Sequence, residues 1–242
     1  MHSPMEQFEI KRLLDLRIGS LDASYTNSAL WMTITVVLAT LLFVYGMRQR
    51  ALVPGRVQAV AELGYEFVAG MVRDNAGSEG KAYFPFILTL FVFILFCNTL
   101  GLVPYSFTPT SHIIVTFAMA VVVFVGVTII GFAKHGLHFL QLFAPKGVPV
   151  YFLVFVAPLE VFSYFVRPFS LSIRLFANML AGHTMLKVFG AFVVALGFLG
   201  GWAALGFMVA FTGLEILVAF LQAYVFAILT CIYLNEALHM HH

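Results

Sequence analysis

Residues 170–184 read SLSIRLFANMLAGHT, and apolar sequence runs on for many residues to either side. Arg174 keeps its charge at every physiological pH, and His183 follows nine residues later. If this stretch lies in a bilayer, a fixed cation sits in oil and needs a task. Composition decides the solvent. The chain is 62% hydrophobic and 10% charged, with a mean hydropathy of +0.99, whereas a soluble domain is about half apolar and about a quarter charged. A soluble core of 242 residues does not hide that much apolar surface. The reading is an all-α polytopic membrane protein.

Outward from this stretch, the chain divides by charge and hydropathy. One N-terminal span covers residues 29–45, with Arg48, Arg50 and Arg56 close behind. Residues 54–74 then repeat apolar positions at helical spacing: Val57, Val60, Gly64, Phe67, Val68 and Met71. Arg56, Gln58, Glu62, Glu66 and Arg73 take the other side. This predicts a surface amphipathic helix, with a short helix capping the bundle as an equal alternative. Residues 83–133 read as a transmembrane hairpin, with spans over Tyr83–Val103 and Ile113–Phe132 joined by PYSFTPTSH. Cys97 and Cys231 lie inside apolar runs and read as packing residues. The N-terminal MHSPMEQFEIKRLLDLRIG has no apolar core and does not read as a signal peptide. Arg48, Arg50, Arg56, Arg73, Lys81, Lys134 and Lys146 mark the cytoplasmic loops, and the uncharged PYSFTPTSH and GFLGGW links lie outside. The N-terminus is then outside and the C-terminus cytoplasmic.

Residues 148–238 are apolar almost throughout, with one weak point in GFLGGWAALG at 197–206. The stretch from Val148 to Gly190 would make about 64 Å of helix at 1.5 Å per residue, against a hydrocarbon core about 30 Å thick. Either it is two spans broken near VRPFS, where Pro168 stands, or it is one strongly tilted helix.

The ionisable residues left in this region are Glu160, Arg167, Arg174, Lys187, Glu215 and Glu236. Each costs about 2.5–3.5 kcal/mol on insertion scales, and such groups are functional by default. Glu160, Ser163, Arg167, Ser170, Arg174 and Asn178 step by three or four and form one polar stripe on a helix. His183 is turned to the opposite face. Glu215, Gln222 and Glu236 form a second stripe. A hairpin of 148–190 with 206–238, its tip near residues 198 and 199, sets His183 beside Glu215 and Arg174 level with Gln222. The bland reading is polar pairs that glue helices together. It suits Glu236, Lys187 and Arg167 best, the last by snorkelling to the interface. His135, His138, His239, His241 and His242 read as solvated, not as metal ligands.

No acid of this chain shares Arg174's depth, so its partner is expected on another subunit. A carboxylate about 4 Å away gains roughly 4 kcal/mol at an effective dielectric of 20. That is about three pKa units, enough to strip the proton from an acid that is neutral in lipid. His183 and Glu215 suit an outer relay, and Glu160, Ser163 and Ser170 an inner exit. The fixed cation keeps the two routes apart.

RLFANMLAGH (174–183), LEILVAFLQAYVF (214–226) and FCNTLGLVP (96–104) resemble the a subunit of rotary F-type ATP synthases over nearly the whole chain. The resemblance implies that Arg174 faces the mid-helix carboxylates of a rotating c-ring. It implies that Asn178, His183, Glu215 and Gln222 belong to the outer half-channel, and Glu160 and Ser170 to the inner route. His183 and Glu215 stand exchanged relative to many bacterial members, as in mitochondrial and alphaproteobacterial ones. It further implies long tilted helices over 148–238, no ATP chemistry in this subunit, no cofactor and no metal. Partners would be the c-ring, the peripheral stalk b subunits, the rest of the complex and the lipid bilayer, with no nucleic acid. The expected location is the bacterial inner membrane ahead of the mitochondrial one, carrying protons ahead of sodium ions. A free-standing ion-coupled transporter is the rival reading; it would usually show internal repeats, and none is visible. An intramembrane hydrolase lacks a third ligand or a nucleophile at the depth of His183 and Glu215.

Overall fold

The computed structural model describes residues 10–15, 17–18, 21–22, 24–48, 54–103, 106–143 and 150–239. Arg50, Pro104, Lys146, His241, His242 and the first nine residues, all used in the reading above, lie outside the described residues. Two very short antiparallel pairs come first, Arg12–Leu14 with Tyr25–Thr26 and Arg17–Ile18 with Leu21–Asp22. Six α-helices follow among the described residues: α1 (Asn27–Arg48), α2 (Arg56–Ala76), α3 (Phe84–Gly101), α4 (Ile113–His135), α5 (Val150–Ala195) and α6 (Gly197–Leu238). Five helical segments are long and apolar enough to cross a bilayer, and α2 is not among them. The chain is an all-α polytopic membrane protein.

α2 packs against α1, α3 and α6. Ala61, Val68, Met71, Val72 and Ala76 are its buried side. Phe67 lies 5.6 Å from the ring centroids of both Phe91 and Phe220. Val57, Val60 and Leu63, in contrast, are exposed. The helix therefore carries apolar residues on two sides: one seals the bundle, the other remains free.

α5 settles the question of the long apolar stretch. It runs unbroken for 46 residues through Pro158 and Pro168, about 69 Å at 1.5 Å per residue. Each proline removes one i→i−4 hydrogen bond, which a membrane helix tolerates where neighbours cover the freed carbonyl, and Pro168 is buried. A helix more than twice as long as the hydrocarbon core has to tilt or run past it.

The hairpin tip differs from expectation. GFLGGW is helical, and the chain reverses at Leu196–Gly197, where Gly197 has φ +62, a conformation open to glycine at little cost. The later glycines serve close approach instead: a Cβ on Gly201 would stand 3.0 Å from the Val193 carbonyl oxygen.

Hydroxyl pairs join α4 to α5. Thr116 Oγ1 and Ser172 Oγ are 3.1 Å apart, and Thr128 Oγ1 and Tyr164 Oη 2.7 Å apart. At the basic end of the bundle, Lys134 pairs with Glu79, whose Oε2 is 3.9 Å from His239 Nε2. His135 is half-buried there, its Nε2 3.2 Å from the Leu238 carbonyl oxygen, so it is a packing residue more than a solvated one. Cys97 and Cys231 are free and buried.

Arg167 pairs with Glu236 across α5 and α6, and its guanidinium lies 5.5 Å from the Tyr164 ring centroid and 5.0 Å from that of Tyr233. Removing one partner of such a pair leaves a half-desolvated charge, while replacing both by apolar groups does not. Arg167→Met or Glu236→Met alone should therefore lower the thermal midpoint of the solubilised assembly more than the double replacement does. Equal or additive losses in a thermal-denaturation series would show that the pair holds nothing together.

Candidate functional site

The site lies where α5 and α6 cross beside the segment 106–112. Leu171, Ser172, Leu175 and Met179 bury one face of α5. Arg174, Ser163 and Ser170 lie on its exposed side, and Glu160 is half-buried. The Arg174 guanidinium makes no hydrogen bond or ion pair with any described residue. Ser163, Ser170 and Arg174 of the polar stripe thus face outward, while Arg167 and Asn178 bond to α6.

His183 and Glu215 meet, as antiparallel depth-matching predicts. His183 Nδ1 is 3.3 Å from Glu215 Oε1, with the residues 7% and 4% exposed. The contact has ion-pair distance without hydrogen-bond alignment, since neither carboxylate oxygen has an aligned donor among the described residues. Gly182 makes the approach possible: a Cβ there would fall 2.6 Å from Glu215 Oε1. On the other side of the ring, His183 Nε2 is 3.0 Å from Thr108 Oγ1. A carboxylate, an imidazole and a hydroxyl from three segments of chain therefore neighbour one another, Glu215 on the Nδ1 side of the ring and Thr108 at Nε2.

Gln222 departs from expectation. Its Oε1 accepts a 2.8 Å hydrogen bond from Asn178 Nδ2, one turn of α5 beyond Arg174. Its own Nε2 is buried without a hydrogen-bond partner among the described residues. The amide is thus level with Asn178 and not with Arg174. The reason is the crossing of the helices: Gly201 meets Val193 near the tip, while Arg167 meets Glu236 at the far end, so the facing register drifts along the pair. Among the described residues, no group of three His, Cys, Asp or Glu side chains has metal-binding geometry.

The family model for the ATP synthase A chain matches residues 29–235. The chain belongs to that family. It is 57% identical over 241 residues to an ATP synthase subunit a of Pelagibacter ubique, covering 99% of each chain. To the subunit a of Paramagnetospirillum magneticum it is 56% identical over 247 residues, and to that of Rhodospirillum rubrum 55% identical over 241, with both chains covered in full each time. These relatives are alphaproteobacterial.

Within this chain, the sequence reading missed Thr108 and the Arg167–Glu236 clasp. Thr108 stands in PYSFTPTSH, whose lack of charge served only to place a loop. Its three closely spaced hydroxyls beside a proline were the available signal. Asn98, in the FCNTLGLVP match, was likewise unassigned; it is fully buried, accepts from Thr110 Oγ1 at 2.8 Å and donates to the Ala219 carbonyl at 3.3 Å.

Proposed function

We propose that this chain is the proton-conducting stator subunit of an F-type ATP synthase and carries no catalytic chemistry of its own. Protons reach a c-ring carboxylate by an outer half-channel built from His183, Glu215, Asn178 and Gln222, and leave by an inner one past Glu160 and Ser170. Arg174 divides the two and drives the ring carboxylate to ionise. The single observation that carries this reading is a division of labour on one helix. α5 points outward an exposed arginine that is unpaired among the described residues, while it buries His183 against Glu215 at 3.3 Å.

An exposed arginine at membrane depth is a standing cost, and a carboxylate arriving on that face removes it. The buried pair suits proton passage because imidazole titrates near neutrality and the Glu215 oxygens are not tied up by aligned donors. The c-ring and the peripheral stalk b subunits are the proposed partners, the bacterial inner membrane the proposed location, with the N-terminus outside and the C-terminus cytoplasmic. The units proposed are the span 29–45, the surface helix 54–74, the hairpin 83–133 and the tilted hairpin 148–238 that carries the proton path.

The test is proximity. With Cys97 and Cys231 replaced, single cysteines at the exposed Ala177 and Ala181 should cross-link in the membrane to a small subunit bearing a mid-helix carboxylate. Cysteines at the buried Leu175 and Met179 should not. Ion transport by the purified chain alone in vesicles, with no cross-link from either exposed position, would favour a free-standing transporter and overturn the proposal.

A further inference from the structure

We propose that Thr108 is a positioning residue of the His183–Glu215 relay, holding the imidazole with Nδ1 on the Glu215 side and giving Nε2 a partner in every protonation state. The inference rests on the half-channel reading above, since it assigns a role within that path. Thr108 Oγ1 lies 3.0 Å from His183 Nε2, on the side of the ring opposite Glu215, and Thr108 is 4% exposed. A hydroxyl both donates and accepts. When Nδ1 carries the hydrogen, Thr108 donates to the Nε2 lone pair. When the ring is an imidazolium or the Nε2–H tautomer, the hydroxyl rotates and accepts. The step this supports is transfer of the Nδ1 proton to a Glu215 carboxylate oxygen. The N–H bond breaks, the O–H bond forms, and the imidazolium becomes the neutral Nε2–H tautomer, still bonded to Thr108. In two of the three states Nε2 carries a buried N–H, and the Thr108 hydroxyl accepts from it; losing that bond is costly.

The segment around Thr108 is built to hold it still. Pro109 keeps the residue before it extended, and Thr108 has φ −99 and ψ 102. Its carbonyl accepts from the Ser111 amide at 3.1 Å and from Ser111 Oγ at 2.7 Å. Thr110 is tied through Asn98 to the backbone of α6. Gly101 leaves room for the side chain, because a Cβ there would overlap Thr108 Oγ1. A surface loop would not spend a buried hydroxyl, a proline and a tether on a residue with no work to do. Glu215 from α6 and Lys187 from α5 are ionisable groups near His183 among the described residues, and the neutral Thr108 hydroxyl adds orientation without adding charge.

The test separates the hydroxyl from its shape, because valine keeps the shape and serine keeps the hydroxyl. In the intact ATP synthase complex, Thr108→Val should slow proton-driven ATP synthesis about tenfold or more, tenfold being the lower end for one hydrogen bond to a charged group, while Thr108→Ser stays near normal. Ring-labelled nitrogen spectra of His183 should show a changed tautomer balance in Thr108→Val only. Subunit content of the purified complex controls for assembly. Normal rates in Thr108→Val, or slow rates in both variants, would overturn the role for the hydroxyl. If His183→Leu itself conducts normally, the half-channel reading fails; if His183→Leu is slow and Thr108→Val is not, only this inference fails.

Discussion

Arg174→Ala should abolish proton-driven ATP synthesis in membranes that still hold a fully assembled complex, and Arg174→Lys should fail as well. The guanidinium stands on the free side of α5 with no hydrogen bond or ion pair among the described residues. A ring carboxylate about 4 Å away would gain roughly 4 kcal/mol at an effective dielectric of 20. That corresponds to about three pKa units, or about a thousandfold in the ionised fraction. The alanine variant loses this drive. It also loses the barrier between the half-channels, so a passive proton leak should appear as synthesis disappears. Lysine restores a charge but not a permanent one, because an ammonium in a desolvated site gives up its proton. Two measurements on inverted vesicles decide the matter: ATP synthesis under an imposed gradient, and gradient decay without nucleotide. Near-normal synthesis in Arg174→Ala vesicles would remove Arg174 from the mechanism.

How far these residues were legible in the sequence depends on what each signal encodes. Span positions follow from hydropathy, because the bilayer leaves apolar runs no other place, and α1, α3 and α4 lie where the apolar runs do. His183 and Glu215 were legible because any antiparallel pair of helices matches residues at equal distances from its tip. Gln222 was misplaced by one turn because depth-matching assumes parallel axes, whereas the register between Val193–Gly201 and Arg167–Glu236 drifts. The tip itself was read into GFLGGW on glycine density. Glycine has two uses, the positive φ of a turn and the absence of a Cβ at a contact, and only Gly197 serves the first there. Thr108 was invisible for a further reason. A loop residue has no period, so nothing in PYSFTPTSH says which helix its hydroxyls will meet.

Replacing both His183 and Glu215 by leucine should slow proton flux through the complex by on the order of a hundredfold or more, the usual scale for losing positioned proton-transfer groups. The two are 3.3 Å apart and almost fully buried, so they titrate as one coupled system and neither owns its proton-transfer behaviour. The single replacements should therefore each cost nearly as much as the double. His183→Leu leaves the Glu215 carboxylate buried with no imidazole beside it, and Glu215→Leu leaves the imidazole with no acceptor on its Nδ1 side. Exchanging the residues, His183→Glu with Glu215→His, keeps one imidazole and one carboxylate in the pocket and should be milder than the double leucine change. It should not reach the native rate. The space beside Gly182 is fitted to the Glu215 carboxylate, and the Thr108 hydroxyl is placed for Nε2 of a ring at position 183. The series thus ranks native first, the exchange second, and the leucine variants last and close together. Gradient-driven synthesis measured between about pH 6 and 8, where an imidazole changes state, reads that order directly. A double leucine variant that runs at the native rate across that range would show that protons travel elsewhere, and that the pair only holds α5 to α6.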